Sequence, residues 1–443
     1  MAPHDAGPHS PLVRRVAFAS FIGTTIEWYD FFIYGTAAAL VFNKLFFPNV
    51  APLVGTLASF ATFAVGFIAR PVGGVVFAHF GDRVGRKPML VWSLLMMGVA
   101  TLLIGLLPTY AAIGMWAPAL LVVLRFLQGL GVGGEWGGAA LMAVEHAPAH
   151  RRGFFGSWPQ VGVPAGLLIG TATFALISNL VSDQQFASWG WRIPFLLSVV
   201  LIVLGLIIRL KISESPIFTQ VMEDKKAARM PVLDAVRTYP KTIALATGSF
   251  IGTHATFYVA SVWLVSYATK HVGYEQTTVL NAQTLLSAIG ILLILGFGAL
   301  SDYVGRRPLF LVGMAVLALF AYPYFQLIET GSIVLYILAG VLVDCCRSAV
   351  YGPQSAYFSE LFGTRMRYSG ASVSYQMGAI LGGGFAPMIC AALVGLTGSS
   401  LAVVGYVIVV CLISFVSTYL LTETYRGDLT GGSDPAAGKQ VRA

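Results

Sequence analysis

The chain is a succession of apolar stretches, each long enough to cross a bilayer. About 20 apolar residues in a helix span the roughly 30 Å of membrane hydrocarbon, and charged or Gly/Pro-rich breaks divide the 443 residues into twelve such stretches. Only helices and closed barrels satisfy their backbone hydrogen bonds without water. The sequence therefore predicts twelve membrane helices, at 16–42, 52–80, 88–107, 111–144, 154–182, 191–211, 242–270, 277–300, 308–328, 332–361, 368–396 and 399–422.

Composition supports a membrane protein. The chain is 57% hydrophobic and 10% charged, with a mean hydropathy of +0.78, whereas soluble domains are about 25% charged. These values exclude a soluble enzyme, a disordered protein and a secreted disulfide scaffold. Four cysteines lie in apolar stretches without zinc or disulfide spacing, so we expect no metal site.

Basic residues indicate the orientation of the chain. With the N-terminus inside, the cytoplasmic segments carry 21 Lys and Arg, and the external loops carry only Lys44, Arg192 and Lys270. This excess follows the positive-inside rule and predicts that both termini are cytoplasmic. The net charge of +8 then reflects membrane topology and contact with lipid. No nucleic-acid partner is expected.

A repeated motif divides the chain into two halves. GDRVGRKP at 81–88 recurs as SDYVGRRP at 301–308, in each case in a short predicted cytoplasmic loop. Parallel repeats with a binding site at their interface are one plan of membrane transporters. We predict an all-α membrane protein with two pseudo-symmetric six-helix bundles. Its segments are a cytoplasmic tail (1–15), the first bundle (16–211), a cytoplasmic linker (212–241), the second bundle (242–422) and a second cytoplasmic tail (423–443).

Nucleotide motifs give no support for ATP-driven transport. No G-x-x-x-x-G-K-[ST] loop occurs. Gly129, Gly131 and Gly134 match G-x-G-x-x-G, but they lie inside an apolar span, where small residues allow close helix packing. We expect no nucleotide and no cofactor, so uphill transport would use an ion gradient.

Seven charged residues lie inside the predicted spans, away from the span ends, and form the functional shortlist. Each costs at least about 2.5–3.5 kcal/mol to insert, so it is expected to face an aqueous cavity or another charge. Glu27 and Asp30 share one helix face, and mutual repulsion would favour proton binding by one of them. Alternatively, each simply pairs with an arginine. The seven are Glu27, Asp30, Glu135, Asp344, Arg70, Arg125 and Arg347.

The fourth predicted span carries a base, an amide and an acid. Arg125 and Gln128 share a face, and Glu135 lies about two turns further along. Arg125 either holds an acid of the first span or binds an anionic substrate. We assign proton coupling to Glu27, Asp30, Arg125 and Glu135.

Polar and aromatic residues in the spans are candidates for substrate contact. Asp344 and Arg347 are spaced to form an internal pair, which is the alternative to a binding role for Arg347. A lone intramembrane histidine, His254, is more commonly a satisfied core residue than a proton carrier. The substrate-binding candidates are Tyr34, Gln128, Gln160, Tyr258, Gln283, Arg347, Tyr351 and Tyr375.

The repeated loop motifs are predicted to gate the transporter. Charge pairs at the inner membrane surface can hold helix ends together in one conformation and release them in another. Lipid anchoring by the basic residues alone would not explain the accompanying aspartates. The gating candidates are Asp82, Arg83, Gly85 and Arg86 in the first half and Asp302, Gly305 and Arg306 in the second.

Several motifs resemble the major facilitator superfamily. The loop run from Asp82 to Lys87 is similar to its signature, and IEWYDFFIYG, RFLQGLGVGGEWGGA and SWGWRIPF resemble its metabolite:proton symporter branch. The resemblance implies a multi-pass protein of the inner membrane with a central site that opens alternately to each side. It also implies proton-coupled uptake, with Asp30 and Arg125 in the positions of an acid–arginine pair found in related sugar porters.

The predicted function is symport of protons with a small organic acid or zwitterion, not enzymatic catalysis. GVPAG at 162–166 partly resembles a motif of drug antiporters. Proton-coupled export of a drug or metabolite is therefore the alternative, together with passive facilitation.

Overall fold

The computed structural model describes residues 11–84, 86–133, 136–145, 147–211, 231–363 and 366–425. All regular elements in these ranges are helical. The long helices are α1 (Pro11–Leu40), α2 (Pro52–Val84), α3 (Arg86–Leu106), α4 (Trp116–Val132), α5 (Trp136–Glu145), α6 (Arg152–Leu180), α7 (Ile193–Lys211), α8 (Pro231–Thr238), α9 (Pro240–Val272), α10 (Gln276–Val304), α11 (Arg306–Glu329), α12 (Ile333–Glu360), α13 (Arg367–Thr397) and α14 (Leu401–Leu420). Short helical turns occur at Phe42–Leu45, Tyr110–Ile113, Ala149–Arg151, Asp183–Ser188 and Gly190–Arg192.

Hydropathy and length agree with a membrane location. Within the described ranges, nine helices are long and apolar enough to cross a membrane, and two shorter apolar helices occur at Val91–Leu106 and Trp116–Val132. Large apolar side chains such as Leu319 and Leu396 are 80% and 81% exposed on the outer surface. An outer surface of this kind suits lipid as the surrounding solvent.

Helix boundaries differ from the predicted spans near the polar segments. The end of the predicted linker forms α8, and α9 already begins at Pro240. The second loop motif is mostly helical, because α10 continues to Val304 and α11 begins at Arg306. Gly305 separates them with a φ of +96°, a left-handed conformation that glycine adopts without a Cβ clash. Residues 212–230 lie outside the described ranges.

The two halves meet along helices that contribute residues to a central cavity. α6 of the first half packs along α10 of the second, and α1 packs on α6. In the described part of the second half, three π-helical segments occur, at Val259–Trp263 and Ala268–Val272 in α9 and at Ala379–Gly384 in α13. π-segments are often found at functional sites, and α9 supplies much of the cavity wall.

Candidate functional site

A cavity of about 560 Å³ lies between the halves. It is lined by residues of α1 and α6 from the first half and of α9, α10 and α12 from the second. Its lining combines apolar walls with a few polar groups, as small-molecule sites do. The aromatic and polar lining residues are Trp28, Phe250, Thr253, His254, Phe257, Tyr258, Gln283, Ser287, Asp344, Arg347, Ser348 and Tyr351.

Three polar side chains of α9 line this cavity and have no hydrogen-bond partner among the described residues. The Thr253 hydroxyl, both ring nitrogens of His254 and the Tyr258 hydroxyl form no hydrogen bond within the described structure. All three side chains are buried, and the His254 and Tyr258 rings stack at 6.0 Å. Buried polar groups are normally hydrogen-bonded. His254 is therefore not the satisfied core residue that the sequence favoured, and the group requires water or a ligand.

A charged pair on α12 also lines the cavity. Asp344 Oδ1 and Arg347 Nη2 on α12 are 2.8 Å apart, and each side chain is 11% exposed. The Arg347 guanidinium also stacks on Phe257 at 4.3 Å. The predicted internal pair is thus present, and it forms part of the cavity wall rather than being buried apart from it.

Arg125 occupies an aromatic pocket in the first half. Its guanidinium carbon lies 4.0 Å from the Phe31 ring, 4.2 Å from Tyr34 and 5.0 Å from Phe63. Its Nη1 donates to Gln128 Oε1, whereas Nε and Nη2 have no acceptor in the described structure. The charge is therefore stabilised largely by aromatic faces.

Asp30 is fully buried near this arginine without pairing with it. Neither of its carboxylate oxygens has a hydrogen-bond partner among the described residues, and it forms no ion pair with Arg125. The Thr101 hydroxyl faces this carboxyl group but donates to the Met97 carbonyl at 2.9 Å. Gln128, and not an acid of α1, is thus the side chain bonded to Arg125. Its Nε2 donates to the Asp30 backbone carbonyl at 3.1 Å and to the Thr101 hydroxyl at 2.8 Å.

Glu27 and Glu135 are the two other residues predicted to couple protons. Glu27 is buried, with 4% exposure, and has an interaction partner. Glu135 lies outside the described residues.

Four of the predicted substrate-binding residues line the cavity, and the other four do not belong to its lining. Tyr258, Gln283, Arg347 and Tyr351 are in its wall. Tyr34 donates to Thr62 at 2.6 Å, and Gln128 holds Arg125 as described above. Gln160 donates to Gln354 at 2.8 Å, and Tyr375 packs its ring against Phe250 at 5.4 Å.

Other cavity residues were not predicted from the sequence. Trp28, Phe250, Thr253, Phe257, Ser287 and Ser348 belong to this group. Aromatic and hydroxyl residues are common throughout the spans, so only their tertiary positions distinguish them. Of the lining residues outside the substrate-binding prediction, His254 and Asp344 were recognisable from the sequence as unusual residues in apolar spans.

The second loop motif joins the two halves. Asp302 accepts hydrogen bonds from the backbone N–H groups of Gly153 and Phe154, at 2.8 and 2.9 Å, at the N-terminus of α6. A carboxylate is favourable there because of the helix dipole. Arg306 holds Asp302 from the other side at 2.9 Å and reaches Glu360 at 3.3 Å.

Gly305 is close to the C-terminal segment. A Cβ at this position would lie 2.6 Å from Glu423 Oε2, and Glu423 accepts from the backbone N–H groups of Arg306 and Arg307 at 3.1 and 2.9 Å. The first motif is not comparable, because Gly85 and the side chains of Asp82, Arg83 and Arg86 lie outside the described residues.

Further polar bonds join the halves at both ends of the molecule. At the end that carries Asp302, Arg367 pairs with Glu145 at 3.4 Å. At the opposite end, Lys270 donates to the Ala39 carbonyl at 3.1 Å, and Gln276 donates to Ser178 at 3.0 Å. The cavity therefore lies between two sets of bonds that connect the halves.

Comparison with known proteins identifies relatives along nearly the whole chain. The family model for sugar (and other) transporters matches residues 16–243 and 233–427. The shikimate transporter of Escherichia coli (strain K12) is 44% identical over 421 residues, covering 93% of this chain and 95% of that protein. The proline/betaine transporter of the same organism is 32% identical, with coverage of 96% and 86%.

Solved structures share the fold. A D-xylose-proton symporter superposes with a TM-score of 0.73 at 16% identity, covering 95% of this chain and 98% of that one. The major facilitator superfamily proton:xylose symporter from Escherichia coli, bound to a brominated glucose, gives a TM-score of 0.72 at 16% identity, with coverage of 93% and 96%.

Proposed function

This chain belongs to the sugar (and other) transporter family of the major facilitator superfamily, and we propose that it takes up a small organic acid or zwitterion together with protons. It is a multi-pass inner-membrane transporter and not an enzyme. Under this proposal its apolar segments form twelve membrane helices in two bundles of six, with both termini in the cytoplasm.

The unpartnered carboxyl group of Asp30 carries the proposal of proton coupling. Burying an ionised carboxylate without a counter-charge is strongly unfavourable, whereas a protonated carboxyl group loses much less on burial. The arrangement around Asp30, with Arg125 bonded to Gln128 instead, suits the protonated acid. Loss of the proton would create a buried negative charge that only a nearby cation could stabilise.

Arg125 is suited to respond to that charge. Its Nε and Nη2 groups have no acceptor within the described residues and are available to a deprotonated Asp30. Moving toward Asp30 would take the guanidinium from the rings of Phe31 and Phe63, which contact Tyr258 at 6.4 and 5.6 Å. Since Tyr258 lines the cavity, protonation and substrate binding would be linked through these rings.

The test is uptake by proteoliposomes that contain Asp30→Asn. Asparagine resembles the protonated acid but does not release a proton, so accumulation driven by a pH gradient should be lost while some substrate exchange remains. The control is Asp183→Asn, the same change at an exposed position in a loop helix, which should accumulate substrate like the wild type. Undiminished accumulation by Asp30→Asn would refute the proposed coupling.

Proton movement distinguishes the alternatives. A symporter makes the external medium alkaline when substrate is added, a drug antiporter releases substrate against inward proton flow, and a passive facilitator moves no protons. External pH recorded beside substrate uptake therefore separates the three.

A further inference from the structure

We infer that the cavity recognises a small carboxylic acid that also carries hydroxyl groups, with Thr253, His254 and Tyr258 as the hydroxyl-binding residues. The inference rests on the proposed transport function and specifies the substrate class of the same site. It follows from polar groups that have no partner among the described residues, together with the guanidinium of Arg347 in the same cavity.

The unpartnered groups of α9 form one continuous surface. Thr253, His254 and Tyr258 fall within two helical turns, and all three line the cavity. They have exposures of 2%, 4% and 0%, yet their polar atoms have no hydrogen-bond partner in the described structure. Leaving such buried groups unsatisfied is unfavourable, so a ligand that bonds to them recovers that free energy.

The chemistry of these groups fits hydroxyls. Threonine and tyrosine hydroxyls both donate and accept, and a neutral imidazole donates from one nitrogen and accepts at the other. A ligand hydroxyl likewise does both, so it can match any of the three groups. The methyl groups of a quaternary ammonium compound offer neither function and would leave all three unpartnered.

The position of Arg347 fits a carboxylate. Its guanidinium lines the cavity, and the described acceptor that it uses there is Asp344, through one nitrogen. Phe257 separates the two polar regions, because its ring lies 4.3 Å from the Arg347 guanidinium and 5.0 Å from the Tyr258 ring. A ligand bound beside Phe257 would place its carboxylate at Arg347 and its hydroxyls at the polar side chains of α9.

The aromatic lining residues would also suit a quaternary ammonium ligand. Trp28, Phe250, Phe257 and Tyr258 surround part of the cavity, and aromatic faces also bind quaternary ammonium groups. We favour the hydroxy acid because an ammonium ligand would not satisfy the polar atoms on α9.

The experiment compares three ligands by titration calorimetry with the purified full-length protein. Shikimate carries a carboxylate and three ring hydroxyls, cyclohexene-1-carboxylate has the same ring without hydroxyls, and glycine betaine is a quaternary ammonium zwitterion. We expect shikimate to bind at least about tenfold more tightly than the other two. Preference for betaine, equal affinity for the two ring acids, or binding of none of the three would overturn the inference.

Conservative variants locate the hydroxyl contacts. Tyr258→Phe and Thr253→Val preserve shape and remove only hydrogen-bonding capacity, so each should weaken shikimate binding about three- to tenfold while leaving cyclohexene-1-carboxylate unaffected. The matched control is Tyr336→Phe, because the Tyr336 hydroxyl is also buried without a partner in the described structure but does not line the cavity. An unchanged ratio of affinities in both α9 variants would refute their assigned role.

The binding experiments and the proton-coupling experiment can succeed or fail independently of each other. Binding preferences are measured without flux, so they can hold in a protein that moves no protons. Conversely, pH-driven accumulation of a ligand without hydroxyls would support symport and overturn only the substrate class.

Discussion

At the scale of single residues, Arg125 is held by an amide and three aromatic faces. A carboxylate partner would neutralise its charge, whereas Gln128 provides a polar contact without a charge. This leaves the cation free to respond to a change at Asp30. Gln128 also bridges α1, α3 and α4 through Asp30, Thr101 and Arg125, so it positions the groups that we assign to proton coupling.

Replacing Gln128 with alanine should destabilise the protein. The change removes the Arg125 acceptor and the donor to the Asp30 carbonyl and Thr101, and each buried group left unpaired costs about 1–3 kcal/mol. Thermal unfolding of the detergent-purified variant should show a lower midpoint than the wild type. Gln184→Ala, at an exposed loop position, is the control, and equal midpoints for the two variants would contradict the bridging role.

At the scale of elements, glycines allow α2 and α4 to touch through their backbones. A Cβ at Gly129 would lie 2.2 Å from the Gly66 carbonyl oxygen, and one at Gly73 would lie 2.0 Å from that of Leu130. Both distances are far below van der Waals contact. Gly129 thus has the close-packing role expected from the sequence, while Gly134 lies outside the described residues.

Gly129→Ala should therefore push α2 and α4 apart. Overpacking costs about 1–3 kcal/mol or more, and the resulting shift would disturb the Arg125 pocket between these helices. We expect a lower unfolding midpoint and a smaller yield of monodisperse protein on gel filtration. Gly296→Ala in α10 is the matched control, because a Cβ there meets no atom within 4 Å and alanine is the better helix former by about 1 kcal/mol.

At the scale of the whole molecule, the two halves are connected on both sides of the cavity. Asp302 binds the N-terminus of α6 at one end, and Lys270 binds the Ala39 carbonyl near the C-terminus of α1 at the other. An anion at a helix N-terminus and a cation at a C-terminus are both favoured by the helix dipole. Alternating access would require these connections to break in turn.

Asp302→Asn should favour opening at the end that carries this residue. The variant loses the charge that strengthens the bonds from Gly153 and Phe154 and the pair with Arg306. Hydrogen bonds to charged groups contribute about 1.5–3 kcal/mol, so the open fraction should rise by about tenfold or more.

Cysteine accessibility measures this opening. The four native cysteines are first replaced, and Ser348→Cys introduces a single cysteine in the cavity wall. An impermeant reagent added from the side of Asp302 then alkylates this cysteine. The rate should increase in Asp302→Asn and stay unchanged in Asp183→Asn. A rate equal to that of the parent protein would exclude Asp302 as a gating residue.

Much of this architecture follows from the sequence by itself. Apolar length, scarce charges and the repeated loop motif predict a helical membrane protein of two related halves, because hydropathy and helix periodicity are local properties of the chain. The same reasoning identified Asp30, Arg125, Asp344 and Arg347, because any charge in a membrane helix is costly enough to require a function or a partner.

Only the tertiary structure decided which partners these residues have. Gln128 rather than Asp30 holds Arg125, and Asp302 binds a helix of the other half. The polar atoms of His254 and its neighbours have no hydrogen-bond partner within the described ranges. Each of these outcomes depends on helices that are distant in sequence and adjacent in space. A hydrogen bond is made or lost over fractions of an ångström, and that precision comes from the packing of the whole bundle.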